Sequence, residues 1–226
     1  MQNNSSSAER IREKKKLFLA REQKITKAAL ELLLEEGIDR VTVSKIASQS
    51  EIGKGTVYKH FLTKNEILIR IVLDYERTIT KSLTLGIERA ESGDSGAAAK
   101  AYFQSRLENP RRDRLMQQLE ARLIDSGEVI AQIEELHRLR RSNEEALAGL
   151  MTELISRGVL EDVPPHFHYL ACWALAQGAV ELYSNRTWDY RTDTAELMEF
   201  ITNIGVTMGN RGQYRSSNSE DIKSAK

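Results

Sequence analysis

Apolar residues recur at three- and four-residue intervals along most of this 226-residue chain, and no alternating pattern bounded by hairpin turns interrupts them. The fold class this dictates is all-α. In ITKAALELLLEEGIDR the residues Ile25, Ala28, Ala29, Leu32 and Leu33 share one helical face, and Gly37 sits where the helix would stop. VTVSKIASQS reads as a short helix with Thr42 as its N-cap and Val43, Ile46 and Ala47 turned inward. EIGKG is a break, and KGTVYKHF resumes a helix that ends near Phe61. Thr63 and Glu66 then stand at capping-box spacing and start another helix. Beyond it the pattern predicts helices near 63–90, 97–108, 111–125, 128–157, 165–186 and 193–209, with a Gly/Ser break at SGDSGAA. The last segment, 211–226, has no periodic apolar face and is expected to be a disordered tail.

Composition narrows the function classes. The single cysteine, Cys172, excludes an intrachain disulfide framework and fits a reducing cytoplasm. The polar start MQNNSSSAER has no apolar signal core, so export is not expected. Residues 163–180 lack Asp, Glu, Lys and Arg, but Pro164, Pro165, His166, His168 and Gln177 fall among them, which reads as a buried helix rather than a membrane span. The formal net charge is zero, yet residues 1–61 hold 12 Lys/Arg against 8 Asp/Glu, and the remainder holds 21 against 25. Such asymmetry points to a polyanion-facing N-terminal part and an acidic body. Within RIREKKKLFLAREQK, residues 10–24, 7 residues are basic and 2 acidic. This run is either a solvated helix extension or an arm that contacts phosphates.

Two short helices joined by a tight break and braced by a preceding helix make a helix-turn-helix in outline. The chemistry of the second helix strengthens the outline. Lys54, Gly55, Thr56, Tyr58, Lys59 and His60 offer donors or close backbone approach, while Val57 and Phe61, four apart, form the inward face. A helix N-terminus aimed at DNA presents free N–H groups and a positive dipole end to phosphates, and Gly55 lets its backbone come near.

The run ITKAALELLLEEGIDRVTVSKIASQSEIGKGTVYKHFLTKNEIL, residues 25–68, resembles the DNA-binding domain of the TetR family of bacterial transcriptional regulators. The landmarks are Ala28-Ala29, Gly37, Thr42, Ile46-Ala47, Ile52, Gly55-Thr56, Tyr58, His60-Phe61, Lys64 and Leu68, without a gap. Thr26, Leu33 and Gly53 depart from the usual pattern, and Gly53 weakens the cap of the recognition helix. By position, the resemblance implies that Thr42, Tyr58 and Lys64 touch phosphates, while Lys54, Thr56 and Lys59, with Ser44, reach or adjoin base edges. Tyr58 and His60 could instead tie the domain together.

The implied organisation is an arm over 1–23, a helix-turn-helix domain over 24–68, an effector-binding and dimerisation domain over 69–210, and the tail. The implied partners are double-stranded operator DNA, a small-molecule effector and a second copy of the chain, with no membrane, cofactor or metal. Phe167, Ala171, Gly178 and Leu182, with Leu197, Ile201, Ile204 and Met208 on the last helix, are candidates for a two-fold interface, though the same stripes would serve an intrachain core. Tyr102, Phe103, His168, Tyr169, Trp173 and Gln177 are candidate effector contacts. Gln177, a polar group in an apolar helix, needs a partner. His168 and Cys172 lie four apart without a third metal ligand, and no catalytic motif is present. The expected function is a ligand-responsive dimeric DNA-binding repressor; the alternatives are a helical enzyme or an interaction adaptor that has kept the fold without DNA binding.

Overall fold

A computed structural model of the chain describes residues 3–184 and 194–210. Among the described residues it is all-α, with nine helices: α1 (Asn3–Glu36), α2 (Val43–Gln49), α3 (Lys54–His60), α4 (Lys64–Glu91), α5 (Ala97–Leu107), α6 (Pro110–Ser126), α7 (Ile130–Ser156), α8 (Pro165–Ser184) and α9 (Thr194–Thr207). Among the described residues the extended pairing is an isolated bridge between Leu160 and Asn210. No described helix is long and apolar enough to cross a membrane. The expected tail, 211–226, lies outside the described residues.

Local chemistry explains the helix ends. Gly37, at φ +84°, closes α1 with its N–H on the Leu33 carbonyl at 3.1 Å. Thr42 caps α2 from an extended conformation, its hydroxyl accepting from the Lys45 N–H at 3.3 Å. At the end of α2 the Ile52 N–H donates to the Ala47 carbonyl and the Glu51 N–H to the Ser48 carbonyl, both at 3.0 Å. That is a Schellman closure, and Glu51 occupies its left-handed position at φ +51°. At α4 the Glu66 N–H donates to the Thr63 hydroxyl at 3.2 Å, but the returning carboxylate accepts from the Leu62 N–H at 2.6 Å, one residue earlier than the expected box.

The chain forms two compact units. The first comprises residues 1–75 and 114–136, the second 76–113 and 137–226. The helix-turn-helix domain expected over 24–68 is therefore larger on both counts. Residues 10–24 are not a separate arm, because nothing between Asn3 and Glu36 breaks a helix and α1 runs through them. The first unit also takes in most of α6, where Leu115, Met116, Leu119 and Leu123 are buried. Arg122 of α6 pairs with Asp39, and Asn65 donates to the Glu128 carboxylate at 2.9 Å, tying that segment to the α1–α2 turn and to α4.

Among its described residues the second unit buries apolar clusters. Ala90, Ala98, Leu150, Leu154 and Leu160 form one; Phe103, Leu107, Ala176, Ala179, Val180, Met198 and Ile201 form another. Missing side chains let its helices approach closely. A Cβ on Gly86 would lie 2.9 Å from the Ala98 Cα, and one on Gly205 would lie 2.1 Å from the Phe103 ring. Gly205→Ala should therefore destabilise this unit by ~1–3 kcal/mol by overpacking, despite the ~1 kcal/mol that alanine gains in helix propensity. Urea titration of the purified protein measures the balance.

Candidate nucleic-acid interface

A two-turn helix such as α3 has too few internal hydrogen bonds to stand alone, so packing must hold it. Val57 and Phe61 are buried and do so, with the Phe61 N–H closing the helix on the Val57 carbonyl at 2.9 Å. At its start Gly53 supplies no side-chain cap, which leaves the first N–H groups of the helix available to a ligand. Lys54, Gly55, Tyr58 and Lys59 are exposed, Thr56 is half-buried, and a Cβ on Gly55 would meet nothing within 4 Å. Thr42 and Ser44 at the start of α2 lie at the surface, both exposed. Four hydroxyls, two lysines and a bare stretch of backbone thus lie along one short helix and the helix start before it.

One expected contact, His60, lies elsewhere, and another, Lys64, is partly engaged within the chain. The His60 side chain is only 3% exposed, so it does not belong to the contact surface. Its ring lies 4.1 Å from that of Phe18 on α1, and its buried Nδ1 is 3.9 Å from the Glu22 carboxylate, beyond hydrogen-bond reach. Glu22 is itself buried and is met at 3.4 Å by Arg70 of α4. Sequence reasoning missed Phe18, Glu22 and Arg70, although Glu22 stands three and seven residues before Ile25 and Ala29 on their buried face. Lys64 is half-buried and its Nζ donates to the Ile38 carbonyl at 2.9 Å. Burial, then the neighbouring Arg122 guanidinium, lowers its pKa, with Asp39 opposing.

In the second unit a buried ion pair organises the candidate effector residues. Arg106 holds Asp113 through two hydrogen bonds, Nε to Oδ1 at 3.0 Å and Nη2 to Oδ2 at 2.7 Å. It also donates to the Tyr102 hydroxyl and to the Gln177 amide oxygen, each at 3.0 Å. Burial works against the guanidinium charge, but the Asp113 and Tyr102 interactions outweigh it and raise its pKa. Gln177 therefore has an intrachain partner. Tyr102, Phe103 and Gln177 come together here, whereas Trp173 is 52% exposed and His168 turns its Nε2 to the Glu161 carbonyl at 3.0 Å. Tyr169 is half-buried. Burial pushes the Cys172 thiol up to about 11, and no group of three potential metal ligands exists among the described residues.

The two last helices sort the candidate interface residues. On α8, Phe167, Ala171, Gly178 and Leu182 are exposed together with Leu170, on the side opposite buried Ala176, Ala179 and Val180. On α9, Ile201 is buried in the Phe103 cluster and Leu197 packs against it, so neither offers its side chain outward as expected; of the expected residues Ile204 is exposed and Met208 half-buried, and Phe200 is exposed as well.

Residues 25–71 match the family model of bacterial regulatory proteins, tetR family. YdeS of Bacillus subtilis, an uncharacterized HTH-type transcriptional regulator, is 44% identical over 45 residues, which are 20% of this chain and 23% of YdeS. The HTH-type transcriptional regulator SrpR of Pseudomonas putida is 34% identical over 70 residues, 30% of this chain and 33% of SrpR. The chain thus spans a third or less of the length of these two relatives. The TetR family transcriptional regulator PfmR from Thermus thermophilus shares the fold with a TM-score of 0.65 at 20% identity, over 84% of this chain and 99% of PfmR.

The buried ion pair gives a quantitative expectation. Asp113→Ala leaves the Arg106 charge uncompensated and should cost ~3–5 kcal/mol, whereas Arg106→Met combined with Asp113→Ala should recover much of that loss. Equilibrium unfolding of the two variants and the parent measures the difference.

Proposed function

Because the chain belongs to the TetR family of bacterial regulatory proteins, we propose that it is a dimeric, ligand-responsive transcriptional repressor, not an enzyme. In this reading it acts in the cytoplasm and leaves a palindromic operator when a small-molecule effector binds its second unit. The observation that carries the reading is the exposed row Lys54, Gly55, Tyr58 and Lys59 on a helix whose opposite side is fixed by Val57 and Phe61. Such a helix is built for insertion into a major groove. Thr42, Tyr58 and Lys64 position it on phosphates, the last with the donors that its bond to Ile38 leaves over. Lys54, Thr56, Lys59 and Ser44 face or adjoin base edges. The effector site is drawn to Tyr102, Phe103 and Gln177 around Arg106, where a polar cluster lies beside an apolar one. The dimer forms through the outward face of α8 with Phe200 and Ile204 of α9.

Selection of duplexes from a random-sequence pool by the purified protein tests the DNA reading; a palindromic consensus is expected, and no enrichment would overturn it. Lys54→Ala should then lose ~1–3 kcal/mol on the enriched site and relax preference at one base of each half-site.

Gly178→Leu tests the dimer cleanly. A Cβ there meets nothing within 4 Å in its own chain, so the larger side chain strains only a partner. The variant should fold as stably as the parent, shift toward monomer in sedimentation and lose operator affinity, since two linked half-site contacts are far stronger than one.

A further inference from the structure

We propose that the N-terminal half of α1 carries a second DNA-binding element: a basic stripe that contacts backbone phosphates flanking each half-site. The inference rests on the DNA-binding reading above and adds a contact surface to it. Arg10, Lys14, Arg21 and Lys24 recur at helical spacing and form one stripe along the helix, interrupted only by Leu17. Lys24 is committed, its Nζ 3.0 Å from the Glu51 carboxylate in the turn that leads into α3. Arg10, Lys14 and Arg21 are exposed, and no ion pair or hydrogen bond engages them among the described residues.

Two contacts fix where the stripe runs. Lys24 meets Glu51 just before the start of α3, and Phe18 meets His60 at its end, so residues 18–24 of α1 reach both ends of the recognition helix. Arg10 and Lys14 then continue past the end of α3, on the flank where Lys24 reaches the turn. From Arg10 to Arg21 the helix rises ~16 Å, and B-DNA carries one charge per ~1.7 Å of its axis, so the stripe can face several phosphates. The clamp of Phe18, His60, Glu22 and Arg70 holds its orientation, so little freedom is lost when DNA binds. An anionic membrane suits the segment less well. A membrane-surface helix needs one apolar face, whereas Ile11 and Phe18 share one side of α1, with Phe18 spent on His60, and Leu17 and Leu19 lie on opposite flanks of them.

The test uses the full chain and the duplexes that the parent enriches from a random-sequence pool. Arg10→Gln/Lys14→Gln/Arg21→Gln should bind them at least ~tenfold more weakly near 0.1 M salt, with a plot of log affinity against log salt less steep by about 2–3. Its base preferences should stay those of the parent, whereas Lys54→Ala should alter them. Trimming the flanks outside the consensus should weaken the parent and leave the triple variant unaffected. An unchanged salt slope with parental affinity would overturn the proposal. Flotation of the parent, but not the triple variant, with phosphatidylserine vesicles, alongside undiminished DNA affinity, would reassign the stripe to a membrane. A parent that enriches no duplex would instead remove the DNA-binding reading itself.

Discussion

A helix of seven residues exists only because something outside it holds it, and in this chain α2 packs against α3 while α1 adds the ring contact of Phe18 with His60. Helix formation is costly to nucleate, so the two turns of α3 derive their stability from the burial of Val57 and Phe61 and from the cover that Phe18 lends to His60. The same dependence explains the division of labour along α3. Its inner positions are apolar and fully committed, which frees its outer positions to be lysine, glycine and tyrosine without regard to helix propensity. Gly53 and Gly55 weaken the helix at its exposed N-terminal end, and the packing at the other end compensates.

Short-range chemistry was the legible part of the sequence. The Thr42 cap, the Gly37 stop, the all-α class and the buried pair Val57 and Phe61 depend on residues within one or two turns of each other, and the structure has them where the pattern implies. Long-range pairings were not legible. Nothing in its neighbourhood says that Gln177 meets Arg106, 71 residues away, or that Arg122 meets Asp39, 83 residues away. Exposure of the last two helices was half legible for the same reason. A stripe on α9 reveals which residues share a face, but only the position of Phe103 decides that Ile201 turns inward and Phe200 outward. The apolar side of α6 likewise reads as amphipathic, without saying which unit it completes.

The buried Arg106 cluster and the glycines of the second unit express two sides of one design. Close helix approach at Gly86 and Gly205 brings backbones together by removing side chains, which leaves little tolerance for added volume. An ion pair in the same unit adds direction where apolar packing has none: Arg106 and Tyr102 on α5 meet Asp113 on α6 and Gln177 on α8, so the cluster disfavours arrangements in which those helices slide. A ligand that engages any one of these groups must contend with the other three.

Glu51 has a quieter consequence. A left-handed backbone at a residue with a side chain costs roughly 1 kcal/mol, and the solvent-screened ion pair with Lys24 opposes that cost. Glycine at this position would relax the turn and release the tether in one step, with opposing effects on melting temperature. The angle at which the recognition helix leaves the turn would nonetheless have lost one of its two external guides. A survey that ranks substitutions by thermal stability alone would pass over the residue that couples α1 to the entry of α3.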